Sequence, residues 1–414
     1  NNSTNNSASV YQGFTADGNA GSAISGATAT INQGKNNAGD VAPAGSEARD
    51  NKAVIQQTAD DNTADINQGG GTGYYTTAAG KSVGSEATIN QSVIGNQGYI
   101  WQGTESGNSQ GSKGSLTQSG ADNEGYIFQG LAGSDIGSTA NITQAGSNGN
   151  AYVLQGQVAT STNNVATINQ TANANGTEAG IYQGFGSLST STDDKASITQ
   201  GGTGTQYAQI VQGGGSTAGG KATSLRNEAT ITQADNSTDN QARISQGRFD
   251  SNVADVTVNA EDNDATIEQS GTGNNAAIDQ GRPTNITTAG GALVTGGVSI
   301  GSVASIKQSG GNSNNGVLTQ AGESNGASLV QTGSTNQARL YQNSTGTTGN
   351  DATITQMGNN NILRGSATGE FALQSGNANT LMLQQTNAMG GAGNIANVNQ
   401  VGSSNGATIS QSNQ

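Results

Sequence analysis

The chain alternates with a period of two. From Asn263 to Gln280 it reads NDATIEQSGTGNNAAIDQ, where the set Asn263, Ala265, Ile267 and Gln269 is repeated in kind by Asn274, Ala276, Ile278 and Gln280. Alternate side chains of a strand share a face, so each set predicts a strand that turns those four side chains one way. Between them, Ser270-Gly271-Thr272-Gly273 has the composition of a tight backbone reversal. The unit is strand, turn, strand, and its eight alternate residues form a candidate core ladder.

A small or apolar residue two and four places before Gln recurs along the chain, from Gln12 and Gln33, through Gln91, Gln102, Gln118 and Gln129, to Gln400 and Gln411. Worn copies lie at Gln374, with Glu370 and Ala372 at the inner places, and at Val258, which stands where Gln belongs behind Asn252, Ala254 and Val256. Residues 290–296 (GGALVTG) and 361–367 (NILRGSA) read as weaker strands. Steps of 11 residues, as from Gln57 to Gln68, Gln91 to Gln102 and Gln118 to Gln129, alternate with longer variable ones, so tight turn and loop take turns. Gly120, Gly146, Gly271, Gly333, Gly358, Gly376 and Gly402, each two places after a Gln, are expected at positive φ.

Two strands and two connections make one coil, and the absence of any 3.6-residue period leaves a solenoid of strands. The predicted fold is all-β: a β-solenoid of about 15 two-strand coils with two facing parallel β-sheets, cross-β and amyloid-like, forming a single domain over residues 1–414. The phase stays open between Gln246 and Gln308, where steps of 11 and 12 residues follow one another. Ala and Ile fill the space between the sheets, and Ala or Gly at the third place from Gln lets them approach. Asn and Gln can stack on the same amides in neighbouring coils. Asn51, Asn62, Asn96, Asn123, Asn164, Asn227, Asn240, Asn325, Asn336 and Asn350 keep their offset from the core residues, which plain loop asparagines have no reason to do.

Composition narrows the picture. With 31% hydrophobic residues, 5 Phe and 1 Trp, one large globular core cannot be filled, and with 10% charged residues and only 2 Pro the chain is not of the usual disordered kind. The net charge of -14, without basic clusters, argues against nucleic acid and anionic bilayers as partners. No His and no Cys removes most general-base, nucleophile and transition-metal arrangements. The carboxylates Asp60 with Asp61, Asp193 with Asp194, and Glu261, Asp262 and Asp264 fall mostly at turns or strand starts, where they are expected to be simply solvated. The Asp positions keep no offset that would match a calcium-binding nonapeptide repeat. No catalytic residue, cofactor or metal site is expected, and the opening NNSTNNSASV has the pattern of neither a signal peptide nor a membrane span.

The Asn263 to Gln280 unit resembles the curlin repeat, whose pattern is Ser or Asn, five residues, Gln-x-Gly-x-Gly-Asn-x-Ala, three residues, Gln. Its marked positions fall on Asn263, Gln269, Gly271, Gly273, Asn274, Ala276 and Gln280. The resemblance implies the curli fibre: an extracellular functional amyloid of the bacterial biofilm matrix, a homopolymer at the cell surface. It also implies export through an outer-membrane secretion pore and a nucleator subunit as partner.

Two surfaces are expected to carry that work. Asn6, Ala8, Val10 and Gln12, and Asn405, Ala407, Ile409 and Gln411, are both close to the repeat, so both stretches are expected to offer unpaired strand edges and to form a polymer interface. Outside the strands, alternation separates a polar face, with Thr88, Asn90, Ser115 and Thr117, from a stripe of Tyr99, Trp101, Tyr126, Phe128, Tyr152, Leu154 and Tyr182. The stripe is expected to mediate lateral fibre pairing or adhesion, or else to stiffen its own sheet by cross-strand stacking. Two rival functions are an ice-binding solenoid and a capped monomeric adhesin that binds glycans by its loops. The first needs a Thr-x-Thr array that only Thr230 with Thr232 and Thr353 with Thr355 provide cleanly.

Overall fold

Alternating Ala and Ile between Asn and Gln suits a strand buried on one face, and such strands must stack to cover that face. A computed structural model of the chain describes residues 2–4, 6–12, 25–33, 47–69, 80–186, 189–214, 221–248, 257–281, 285–288, 291–294, 297–365, 370–387 and 392–413. Every secondary-structure element among them is a β-strand. The chain forms two compact units, Asn1–Gly201 and Gly202–Gln414.

In the first unit, one parallel sheet stacks Ser7–Gln12, Lys52–Gln57, Glu86–Gln91, Lys113–Gln118, Thr139–Gln144, Val165–Gln170 and Lys195–Gln200 with Gln over Gln at every rung. A second parallel sheet stacks Thr28–Gln33, Thr63–Gln68, Gln97–Gln102, Glu124–Gln129, Asn150–Gln157 and Glu178–Phe185 in the same register. The two face each other across a thin apolar layer in which Ala53, Ile55, Ile66, Ile89, Ile100 and Ile127 have no more than 1% exposure. Size is matched across the layer: Leu116 of the first sheet lies over Gly98 and Gly125 of the second, where an added Cβ would come 2.8 and 2.6 Å from its methyl carbons.

The second unit repeats the arrangement. Glu228–Gln233, Asp264–Gln269, Val303–Ser309, Gly326–Thr332, Asp351–Met357, Thr380–Asn387 and Gly406–Asn413 form one sheet. Tyr207–Gly214, Gln241–Arg248, Asn275–Gln280, Asn315–Glu323 and Gln337–Asn343 lead the other. Its next rung is split: Ile362–Arg364 and Ala372–Ser375 both pair with Gln337–Asn343, so the weak strand begun at Asn361 and the worn copy at Gln374 are two short strands on one rung, while Ser366 and Ala367 lie outside the described residues.

The phase between Gln246 and Gln308 is fixed by pairing. Gln269 stacks on Gln308 in one sheet and Gln280 on Gln320 in the other. The segment read as a weak strand at 290–296 is no rung: Gly291–Val294 pairs antiparallel with Asn285–Thr288 in a separate hairpin. Gly290, Thr295 and Gly296, and likewise Asn252, Ala254 and Val256, lie outside the described residues. Val258 does not take a Gln place either, since it pairs with Ala222 and Gly297 in a different ladder.

That ladder is an addition to the two strands expected per coil. In the first unit Glu47–Arg49, Lys81–Val83, Asn108–Gln110, Ser134–Ile136, Thr160–Thr162 and Ser189–Thr192 stack in parallel within the stretches read as loops. Their middle residues, Ala48, Ser82, Ser109, Asp135, Ser161 and Ser191, are completely buried. Three-residue strands of small polar residues have no apolar alternation, so only backbone hydrogen bonding reveals them.

Left-handed residues make the corners. Asp61, Gly95, Asp122, Asn148 and Gly176 form one such column, with φ between 52° and 78°. Of the seven glycines expected at positive φ, Gly271, Gly333, Gly358, Gly376 and Gly402 are there, between 89° and 108°, whereas Gly120 and Gly146 are not. Those two are required by stacking: a Cβ on Gly120 would lie 1.6 Å from the carbonyl oxygen of Gly146, and one on Gly146 would lie 2.0 Å from that of Ala174.

Candidate functional site

The glutamines form hydrogen-bonded columns that run one way. In the first unit Gln12 Nε2 donates to Gln57 Oε1 at 2.9 Å, Gln57 to Gln91 at 2.9 Å and Gln91 to Gln118 at 2.8 Å. The facing column does the same from Gln33 to Gln68, Gln102, Gln129, Gln155 and Gln183. Each Nε2 also reaches backbone carbonyls of the opposite sheet, as Gln91 does at Thr63 (2.9 Å) and Asn96 (3.1 Å). The amides therefore satisfy their own burial and tie the two sheets together.

Asparagines run the opposite way. Asn123 N donates to Asn96 Oδ1, and Asn96 N to Asn62 Oδ1. Amide stacks on amide directly in the second unit, where Nδ2 of Asn336 donates to Asn314 Oδ1, that of Asn361 to Asn336, and that of Asn405 to Asn379. In the first unit serines and glycine occupy several such rungs, and the asparagines bond mainly to backbone and hydroxyl groups.

The eight residues of the repeat unit sit in these ladders. Ala265, Ile267, Ala276 and Ile278 are buried to within 1%. Asn263 donates through N and Nδ2 to Asn227 Oδ1 and accepts from Ser302 N, while Gln269 donates to Gln308. Asn274 N donates to Asn240 Oδ1, its own Oδ1 accepts from Asn314, and Gln280 donates to Gln320.

Among the described residues, the two stretches read as a polymer interface are the first and last rungs of one sheet in their units. In Ser7–Gln12, Ala8 is exposed and Val10 is 46% exposed, whereas Ile55 on the next rung is fully buried. Asn6 Oδ1 accepts from Asn51 N at 3.1 Å, and Asn6 Nδ2 donates to Ala48 O. In Gly406–Asn413, Ala407, Ile409 and Gln411 are half-buried, and Gln411 accepts from Gln385 at 2.8 Å.

The aromatic stripe is in register but is not all surface. Tyr99 stacks on Tyr126 with ring centres 4.9 Å apart, and Trp101 on Phe128 at 4.7 Å. Tyr152 meets Tyr182 edge-on at 6.0 Å across the gap left by Gly180. Trp101 is only 7% exposed and Leu154 8%, so these two are not outward contacts as alternation suggested. In the first unit the chain turns on this sheet at a left-handed glycine straight after Gln68, Gln102, Gln129, Gln155 and Gln183, as at Gly103, Gly130 and Gly156, and residues beyond the turn such as Leu131 and Gln157 are buried too. The place beside Gln thus becomes a second packed row. From this row Trp101 Nε1 donates at 3.2 Å to Oδ2 of Asp65, which lies in register with Tyr99. The half-exposed part of the stripe is Tyr99, Tyr126, Phe128, Tyr152 and Tyr182. Tyr126 and Tyr152 donate their hydroxyls to Glu124 and Glu178. Burial raises the Tyr99 phenol above its ordinary value, and the charges of Glu124 and Asp65 add to that.

One buried ionisable group had no sequence signal. Asp135 occupies a Ser or Ala place of the third ladder, and burial pushes its carboxyl up to about 6 against the opposing pull of the Ser112, Ser138 and Ser161 hydroxyls. Among the described residues no group of His, Cys, Asp and Glu is placed to hold a metal ion, and no helix is long and apolar enough to cross a membrane.

Stacked parallel rungs, in-register amide columns and a thin Ala/Ile layer define a β-solenoid of the cross-β kind. The curlin associated repeat matches this chain at residues 260–281 and 322–358, which makes the resemblance one to the curlin family. No curated protein sequence matches it.

Proposed function

We propose that this chain is a structural subunit of an extracellular, curli-type amyloid fibre, polymerising end to end and serving as scaffold and adhesive in a biofilm matrix rather than as a catalyst. The observation that carries this is the pair of buried glutamine columns, hydrogen-bonded in register from rung to rung as in amyloid ladders. Ser7–Gln12 and Gly406–Asn413 carry the same alternation as the rungs beside them, so a further rung of the same kind fits their edges. An unpaired edge that matches the next rung is a template for another chain, and a head-to-tail contact that does not close yields a filament. The half-exposed aromatic stripe then faces sideways from the filament, where it suits lateral pairing or surface attachment. A secretion pore and a nucleator subunit are partners by the curlin resemblance. Electron microscopy of the purified chain after incubation tests the reading: fibres are expected from the native sequence, and none from the double variant Ala407→Pro, Ile409→Pro, which loses backbone donors on the terminal rung. Normal fibres from the double variant would place the junction elsewhere.

A further inference from the structure

Four tyrosines of the first unit stand in two pairs, and each pair contains one hydroxyl bonded to a carboxylate. Tyr99 and Tyr126 hold the same place on neighbouring rungs, with ring centres 4.9 Å apart and planes within 9° of parallel. On the next two rungs Tyr152 and Tyr182 meet edge-on at 6.0 Å. Tyr126 donates its hydroxyl to Glu124 of its own strand, and Tyr152 donates to Glu178 of the following rung. Stacking accounts for the rings but not for these two acids. Gln97, in register with Glu124, gives Tyr99 a neutral acceptor at 3.4 Å in the equivalent place.

A phenol keeps its proton up to about pH 10, yet it becomes a strong acid as soon as an electron is taken from it. Oxidation of a tyrosine at neutral pH is therefore fastest where a base already accepts its O–H, and a glutamate is such a base above about pH 4. We propose that Tyr126 and Tyr152 are sites of oxidative cross-linking, coupling to Tyr99 and Tyr182 respectively as dityrosine when a haem peroxidase delivers the two oxidising equivalents of hydrogen peroxide. Each phenol loses one electron and one proton. Tyr126 passes its proton to Glu124 and Tyr152 to Glu178, from which it returns to solvent, while Tyr99 and Tyr182 release theirs to water. The two radicals of a pair join through ring carbons ortho to oxygen, and the hydrogen on each of those carbons leaves as a proton while one returns to each oxygen, which restores both rings. The peroxide takes up the two electrons and two protons and departs as two waters. Rings held one rung apart by the backbone ladder need little further ordering to couple. The links lie within one chain, so they do not depend on end-to-end assembly, and they would tie Gln97–Gln102 to Glu124–Gln129 and Asn150–Gln157 to Glu178–Phe185 covalently.

The full chain, treated with hydrogen peroxide and a haem peroxidase and then digested, tests the proposal by fragment-ion mass spectrometry, in which each link appears as the loss of two hydrogens. The earliest products are expected to join Tyr99 to Tyr126 and Tyr152 to Tyr182. Glu124→Gln keeps an acceptor oxygen for Tyr126 and installs the residue of the neighbouring rung, but removes the base. It should slow the Tyr99 to Tyr126 link about tenfold or more and leave the Tyr152 to Tyr182 link unchanged. Glu178→Gln should do the reverse. Tyr99→Phe keeps a ring in the stack and should abolish the first link alone. Links scattered over the 9 tyrosines without preference for these two pairs overturn the proposal. So do link rates indifferent to both Glu→Gln changes in variants that circular dichroism shows to be folded.

Discussion

Asp135 offers a measurable test of how the third ladder works. The column around it holds Ser82, Ser109, Ser161 and Ser191, so a carboxyl there is an ionisable group in a place built for hydroxyls. Its pKa rises from 3.8 to about 6 on folding, chiefly through burial. A folded pKa above the unfolded one means that the folded state binds the proton more tightly. Stability is therefore greatest below the unfolded value, falls as pH rises from about 4 to about 6, and is flat above. A shift of about two units corresponds to ~3 kcal/mol between the two plateaus. Because coils interact only with their neighbours, the effect stays near Asn108–Gln118 and Ser134–Gln144. Amide hydrogen exchange, corrected for its intrinsic pH dependence, is expected to show about a hundredfold stronger protection of these rungs at pH 4 than at pH 7. Asp135→Ser, which restores the residue of the neighbouring rungs, should abolish the difference and hold the stronger protection at pH 7. Equal pH dependence in the native chain and the variant, or weaker protection at low pH, would refute the reasoning.

Three other outcomes test the packing and the surfaces. Gly125→Ala drives a methyl against Leu116 and should cost ~1–3 kcal/mol in denaturant unfolding, most of it recovered when Leu116→Ile is added; additive effects in that double-mutant cycle would mean the two do not share the site. Ile267→Asp places a charge between the sheets at a cost of several kcal/mol, and proteolysis should open that coil alone, whereas loss of all β-structure by circular dichroism would point to a global core. Changing Tyr99, Trp101, Tyr126 and Phe128 together to Thr should leave single fibres intact and reduce bundles and surface attachment in electron microscopy; because Trp101 is buried and bonded to Asp65, the same variant should also unfold more readily in that unit, and unchanged bundling would return the stripe to a purely stiffening role.

The period of two was enough to place the strands and to say which side chains face inward. Asn263, Ala265, Ile267 and Gln269 are buried together because a strand has no other way to arrange alternate residues. The glutamine columns were legible for the same reason: a one-residue slip would have turned every Gln outward, so register and burial are one constraint. What the tertiary structure decided lies where local pattern is silent. Pairing, not alternation, made one rung of residues 362–364 and 372–375 and excluded 291–294 from the stack. The third ladder has middle residues as small and polar as ordinary loop residues, and only its neighbours' backbones make it a sheet. Trp101 and Leu154 alternate outward like Tyr99 and Tyr152, but the left-handed Gly103 and Gly156 after Gln102 and Gln155 fold the chain into a second packed row, which no strand period encodes. The sense of the amide columns is also a tertiary fact, because an amide side chain both donates and accepts, and which end leads is settled by the carbonyls of the facing sheet.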